Sequence, residues 1–299
     1  MLCCSAHKIA HSADGPRSTS SPVSKQLPHG TDTEVVDGRK VLVALPPQYE
    51  EKAARGEMYN VLYVLDQGHT LFSHLANQQR ALYAETRPKE GRNWYPEVIV
   101  VGIQGPAPAS PGALLSYLRD SLVPFVDGTY RSKPFAAGRA VCGFDDALGG
   151  EAIRALLLED AHAEDLKNFR FYAVGSAGAH KASARGSSSL QLPDKAAVLL
   201  TVGKDEAPAR IAAARSLAEE TAPRASCEGE LTMFVNNKGE QTYSVKDTSG
   251  RPPPVELEVL EGGGGDLAFA SAAASWVGRR FETQKLESLG SLLPWHEFK

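Results

Sequence analysis

The chain has 299 residues, 42% of them apolar, with 32 lysines and arginines set against 36 aspartates and glutamates. That length supports one large core or two small ones. A formal charge of −4 with both signs mixed throughout excludes the clustered cations that nucleic acid or an anionic membrane requires, and no apolar run nears the roughly 20 residues of a membrane span.

Residues 1–32 are rich in Ser, His and Pro and lack apolar periodicity, the composition of an exposed tail. Lys8, Arg17 and Lys25 against a single early acid, Asp14, have the charge of a presequence without its amphipathic period. Cys3 and Cys4 are adjacent candidates for acylation, while Leu2 rules out the myristoylation signal. With Cys142 in a strand-like run and Cys227 in a polar loop, the four cysteines form no disulfide framework. An intracellular, reducing compartment follows, with cytoplasm, cytoskeleton and mitochondrion not distinguished.

Beyond the tail, apolar strand-like runs recur at Val41–Leu45, Val61–Leu65, Val98–Ile103, Ala140–Phe144, Phe171–Val174, Val198–Val202 and Val255–Leu260. Helical segments are predicted at Leu114–Val126, Gly150–Glu159, Pro208–Thr221 and Leu267–Phe281. Strands alternating with helices, the central ones apolar on both faces, predict an α/β architecture: a mostly parallel central sheet covered by helices on both faces. Residues 33–283 form this domain, with 284–299 as a C-terminal tail. Arg185–Asp194 and Lys238–Pro254, rich in Ser, Gly and Pro, read as surface loops. Several strands run into turn residues, and in such sheets ligands bind beyond the carboxyl ends of the strands, so any site is expected there.

The succession "VLVALPPQYEE", "YNVLYVLDQGHTLF", "PEVIVVGIQG", "LRDSLVPFVDGTYRSKP" and "AGRAVCGF…LGG" resembles the esterase family of the α/β-hydrolase fold that includes enterochelin esterase, S-formylglutathione hydrolase and the mycolyltransferases. The resemblance runs from about Val41 to Phe281. It implies a serine nucleophile on a sharp strand-to-helix turn, a histidine base, an acid that orients the histidine, and backbone donors for the oxyanion.

Carried over residue by residue, that site is incomplete. Gly143-Phe144 and Leu148-Gly149-Gly150 flank the nucleophile position, but Asp145-Asp146-Ala147 stand where one serine is expected. Counting from the right puts Ala147 at the nucleophile position, and counting from the left puts Asp145 there. The acid position falls on Asp205 or Glu206 after "AAVLLTVGKDE", and the histidine position on Gly265 in "EGGGGDLAF". Gln67 and Leu148 stand where the oxyanion loop would leave its remnants.

An aspartate nucleophile at Asp145 or Asp146 is the enzyme-class alternative, because carboxylates attack from the same turn in other hydrolases of this fold. Its ester intermediate would then need a histidine, for which His69 and His180 are the candidates to inspect. The carboxylates of Asp145, Asp146, Asp205 and Asp266 are at most an oxygen-rich set, and no zinc spacing is present. The Gly262–Gly265 run lacks the Lys-Ser/Thr of a phosphate loop. No cofactor and no metal is therefore implied.

The expectation is a non-enzymatic, esterase-like subunit of a larger protein assembly, with a small-ligand-binding module as a further alternative that a pocket filled by Phe144 would disfavour. Partner subunits are expected at the N-terminal tail and at Leu289, Leu292, Leu293, Trp295 and Phe298, an apolar concentration near the C-terminus.

Overall fold

The structure is a computed structural model that describes residues 30–65, 70–86, 96–104, 110–144, 152–153, 156–157, 168–176, 196–221, 231–235, 241–245, 255–260 and 266–290. Ten strands, β1 (Thr31–Val36), β2 (Arg39–Ala44), β3 (Asn60–Leu65), β4 (Val98–Gln104), β5 (Arg139–Phe144), β6 (Phe171–Gly175), β7 (Ala197–Gly203), β8 (Leu231–Val235), β9 (Gln241–Val245) and β10 (Val255–Leu260), join in one sheet. Their order is β1-β2-β4-β3-β5-β6-β7-β10-β9-β8. The pairs from β4 through β10 in that order are parallel, and antiparallel pairs close both edges.

Burial on both faces explains the continuous apolar runs of the central strands, because each face carries helices. Every residue of β3 and of β7 is buried. Side chains alternate between two cores: Val61, Tyr63 and Leu65 face one, Leu62 and Val64 the other. The first core is completed by the segment α3 (Pro111–Tyr117), a π turn (Leu118–Leu122) and α4 (Val123–Thr129), with Ala152, Ile153, Leu156 and Leu157 and by α5 (Pro208–Thr221). The second is covered by α2 (Thr70–Thr86) and α6 (Asp266–Gly290), through Leu71, Phe72 and Leu75 on one and Phe269, Trp276 and Phe281 on the other. A short α1 (Tyr49–Ala53) follows β2.

The seven predicted strands are present as β2 to β7 and β10, and the strands β1, β8 and β9 and the helices α1 and α2 were not anticipated. In β1 the pattern "TDTEVV" is mostly polar and gives no strand signal; only its turn is local chemistry, Asp37 and Gly38 both taking positive φ, 48° and 73°, and joining Val36 and Arg39 across a two-residue turn. Helix α2 carries its buried residues at Leu71, Phe72, Leu75, Ala76, Gln79 and Tyr83, a helical stripe diluted by the polar residues between them. It lies so close to β4 that a Cβ on Gly102 would come 2.6 Å from the Phe72 ring.

The stretch Lys238–Pro254 is corrected from a loop to one that contains β9, paired with β8 and with β10. A hairpin of five-residue strands is marginal alone and is stabilised by docking onto an existing sheet edge, which local sequence does not report. At the C-terminal end α6 continues to Gly290, past the Phe281 at which the predicted helix stops, so Leu289 belongs to the helix. Among the described residues no helix is long and apolar enough to cross a membrane.

Candidate functional site

The parallel registers align the carboxyl ends of the central strands on one edge. Leu65 lies beside Gly143, Phe144 beside Gly175, and Leu260 beside Gly203. This edge is where the sequence placed the crevice. Asp145, Asp146, Ala147, Leu148, Gly265, Gln67, His69 and His180 lie outside the described residues, as do the N-terminal 29 residues and Leu292, Leu293, Trp295 and Phe298. What the structure describes is the floor formed by the strand ends themselves.

Two features make up that floor. The first is aromatic. Phe144, the last residue of β5, lies against Phe269 in the first turns of α6, ring centroids 5.0 Å apart, and Phe269 is fully buried. Both rings press on Gly175, where a Cβ would come within 2.9 Å of atoms in each. Only glycine permits this approach, so the end of β6 and the two rings specify one another.

The second feature is polar. Ser176 follows β6 with φ of 54°, an unusual conformation for a residue other than glycine, and is buried. Its Oγ lies 3.2 Å from both oxygens of Glu206, to which the hydroxyl donates. The Glu206 carboxylate also accepts from the Gly203 backbone N–H at 2.9 Å and from Arg210 Nη1 at 2.9 Å. Arg210 reaches Ser176 Oγ as well, at 3.4 Å. The Lys204 N–H donates to the Leu260 carbonyl at 2.9 Å, which ties the end of β7 to the end of β10.

Of the two acids left open by the resemblance, Glu206 is therefore the one drawn onto the strand ends, while Asp205 is exposed in the turn after β7. Local geometry separates them: the Glu206 side chain folds back to cap the Gly203 N–H three residues behind it, and its four-residue spacing to Arg210 lets the guanidinium close the pair. Sequence reading missed Ser176 and Arg210. The signals were a serine directly after a strand-ending Gly175 and the Glu206–Arg210 spacing, each too common to single out without the fold.

Chemically, a carboxylate held by three donors is an oriented acceptor, so this cluster pins β6, β7 and α5 together. Glu206→Ala is expected to lower stability by about 1–3 kcal/mol, since it strands the Ser176 hydroxyl, the Gly203 N–H and Arg210 together. Asp205→Ala is expected to stay within about 0.5 kcal/mol of the parent. Urea denaturation of the two variants compares them directly, and equal losses would contradict the assignment.

No protein-family model matches the sequence, and no curated protein does. Solved structures do match in three dimensions. An IroE-like serine hydrolase from Shewanella oneidensis aligns at a TM-score of 0.53 and 15% identity, over 84% of this chain and 79% of its own. The enterobactin esterase from Shigella flexneri aligns at 0.56 and 14%, over 87% of this chain and 61% of its own. A feruloyl esterase module from Clostridium thermocellum aligns at 0.56 and 14%, over 84% and 86%. The chain thus has the α/β-hydrolase fold, the mostly parallel sheet with helices on both faces that the sequence predicts, and at these identities the likeness is one of fold.

Proposed function

We propose that this chain is a non-catalytic, esterase-like domain that serves as a structural subunit of a larger intracellular protein assembly. The observation that carries the reading is the packing at the strand ends, where Phe144 at the foot of the nucleophile turn lies on Phe269 over Gly175. Phe144 and Phe269 fill the space at the ends of β5 and β6, directly before the segment that holds Asp145 and Asp146, with packed side chains. The sequence supports the same reading, since Asp145-Asp146-Ala147 replace the serine and Gly265 stands at the histidine position. Loss of nucleophile and base together leaves only the small acceleration that binding and oxyanion donors supply. Glu206 is engaged by three donors and ties the strand ends together, a structural role. Contacts with partner subunits fall to the N-terminal segment and to the apolar residues around the end of α6, Leu289, Leu292, Leu293, Trp295 and Phe298.

Two measurements test this. The purified chain is expected to hydrolyse short-chain p-nitrophenyl esters no faster than an unrelated protein of equal concentration, and to remain unlabelled by a fluorophosphonate. Enzyme-like turnover abolished by Asp145→Asn or Asp146→Asn would instead establish the aspartate-nucleophile chemistry. In gently lysed cells the endogenous protein is expected to migrate far above the 32.0 kDa of the chain, with fixed partners. A free monomer there would remove the scaffold role even if the ester assay were silent.

A further inference from the structure

At the opposite end of the sheet from the carboxyl ends of its parallel strands, an open groove of about 600 Å³ lies between β1, Leu45, α1 and the end of α4 with the turn that follows it. Its walls combine two kinds of side chain. Tyr49 and Tyr130 meet edge to face with centroids 6.4 Å apart, backed by Tyr59 at 5.1 Å from Tyr49 and Phe125 at 6.4 Å from Tyr130. The backbone N–H of Arg131 donates to the Tyr49 hydroxyl at 2.8 Å and fixes that ring. Around this aromatic floor stand the exposed carboxylates of Asp32 on β1 and Glu50 on α1.

The field in the groove is negative. The Tyr130 hydroxyl is held well above its ordinary pKa, by burial first and then by the Glu34 and Asp32 carboxylates. Asp127, also in the lining, is already satisfied by Ser132 and Arg139, and the exposed Arg131 is the only cation among the lining residues. A metal ion is disfavoured, because no three His, Cys, Asp or Glu side chains converge among the described residues. An anion meets the wrong sign. What fits a half-buried Tyr130 ring flanked by separated carboxylates is a diffuse, weakly hydrated positive charge, which gains from the aromatic surface as well as from the acids.

We propose that this groove is a binding site for an organic cation, a guanidinium or alkylammonium group set against the half-buried Tyr130, with the buried Tyr49 behind it, and neutralised by Asp32 and Glu50. The site lies apart from the crevice, so it stands or falls separately from the function proposed above. Methylguanidinium, with neutral urea as its uncharged counterpart, tests it by isothermal titration and by tyrosine chemical shifts on the full chain. Saturable binding of methylguanidinium, about tenfold tighter than urea and weakened by added salt, is the expected result. The variant carrying Asp32→Asn with Glu50→Gln, both at exposed positions that leave the fold intact, is expected to lose at least about fivefold in affinity, and Tyr130→Leu about the same. Equal binding of urea, no saturable binding, or affinity unchanged in the double variant would each overturn the proposal.

Discussion

Asp127→Ala is expected to destabilise the domain by about 3–5 kcal/mol. Asp127, in α4, pairs with Arg139 at the start of β5, and the Arg139 side chain is only 6% exposed. The same carboxylate accepts from the Ser132 hydroxyl, and Arg139 Nη1 reaches the Asn168 carbonyl at 3.4 Å. Ser132 in turn belongs to the bridge that continues β3 backwards through Tyr59. Removing the carboxylate leaves a guanidinium that cannot shed its charge in a place where water hardly reaches it. The expected loss is therefore that of an uncompensated buried cation, larger than the net worth of the pair. The double variant Asp127→Ala with Arg139→Met removes both charges and should recover much of the loss, because an apolar replacement of similar length asks for no partner. Urea or thermal unfolding of the three proteins decides the matter: a single-variant loss below about 1 kcal/mol, or no recovery in the double variant, would show that water reaches Arg139.

Phe269→Ala carries the other large expectation, a loss of about 3–5 kcal/mol. The ring is fully buried, touches Phe144, and fills the space over Gly175 that no Cβ could share. Its neighbours on α6, Ala270, Ala273 and Ala274, are small and buried, so they have no long side chains to swing into the hole. Phe144→Ala is expected to fall well short of it, at about 1–2 kcal/mol, since that ring is half-buried and gives up less area. Denaturant unfolding should show this ordering, and equal losses would mean that Phe144 is the better buried partner. The Phe269 variant should also open a cavity at the strand ends. Stabilisation of that variant, and not of the parent, by a small apolar solute such as benzene would mark the aromatic pair as the plug of the crevice.

Reading the sequence recovered the elements whose residues carry their own environment. In β3, Val61–Leu65 is apolar on both faces because helices cover both faces, and the structure adds only Asn60. Helix α5 coincides with its predicted span from Pro208 to Thr221. Elements whose stability is borrowed from neighbours were not legible. Strand β1 holds its place by pairing along β2, while β9 is secured between β8 and β10. The site divides in the same way. Its location at the strand ends follows from topology alone, whereas the choice between Asp205 and Glu206 turns on which side chain folds back onto the Gly203 N–H.

By itself, then, the sequence determined an α/β fold with a mostly parallel central sheet, and it displays Asp145-Asp146-Ala147 between Gly143-Phe144 and Leu148-Gly149-Gly150. These are properties of residue identity and of period, which a linear chain displays. Tertiary structure alone decided that Phe144 meets Phe269 over Gly175, that Glu206 gathers Ser176 and Arg210, and that Tyr49, Tyr130 and Asp32 line one groove. Each joins residues separated by tens of positions, or turns on the direction of one side chain. Such contacts exist only after the sheet has brought distant strand ends together, because the chain entropy lost in closing those loops is offset by burial of the whole core and by no local signal.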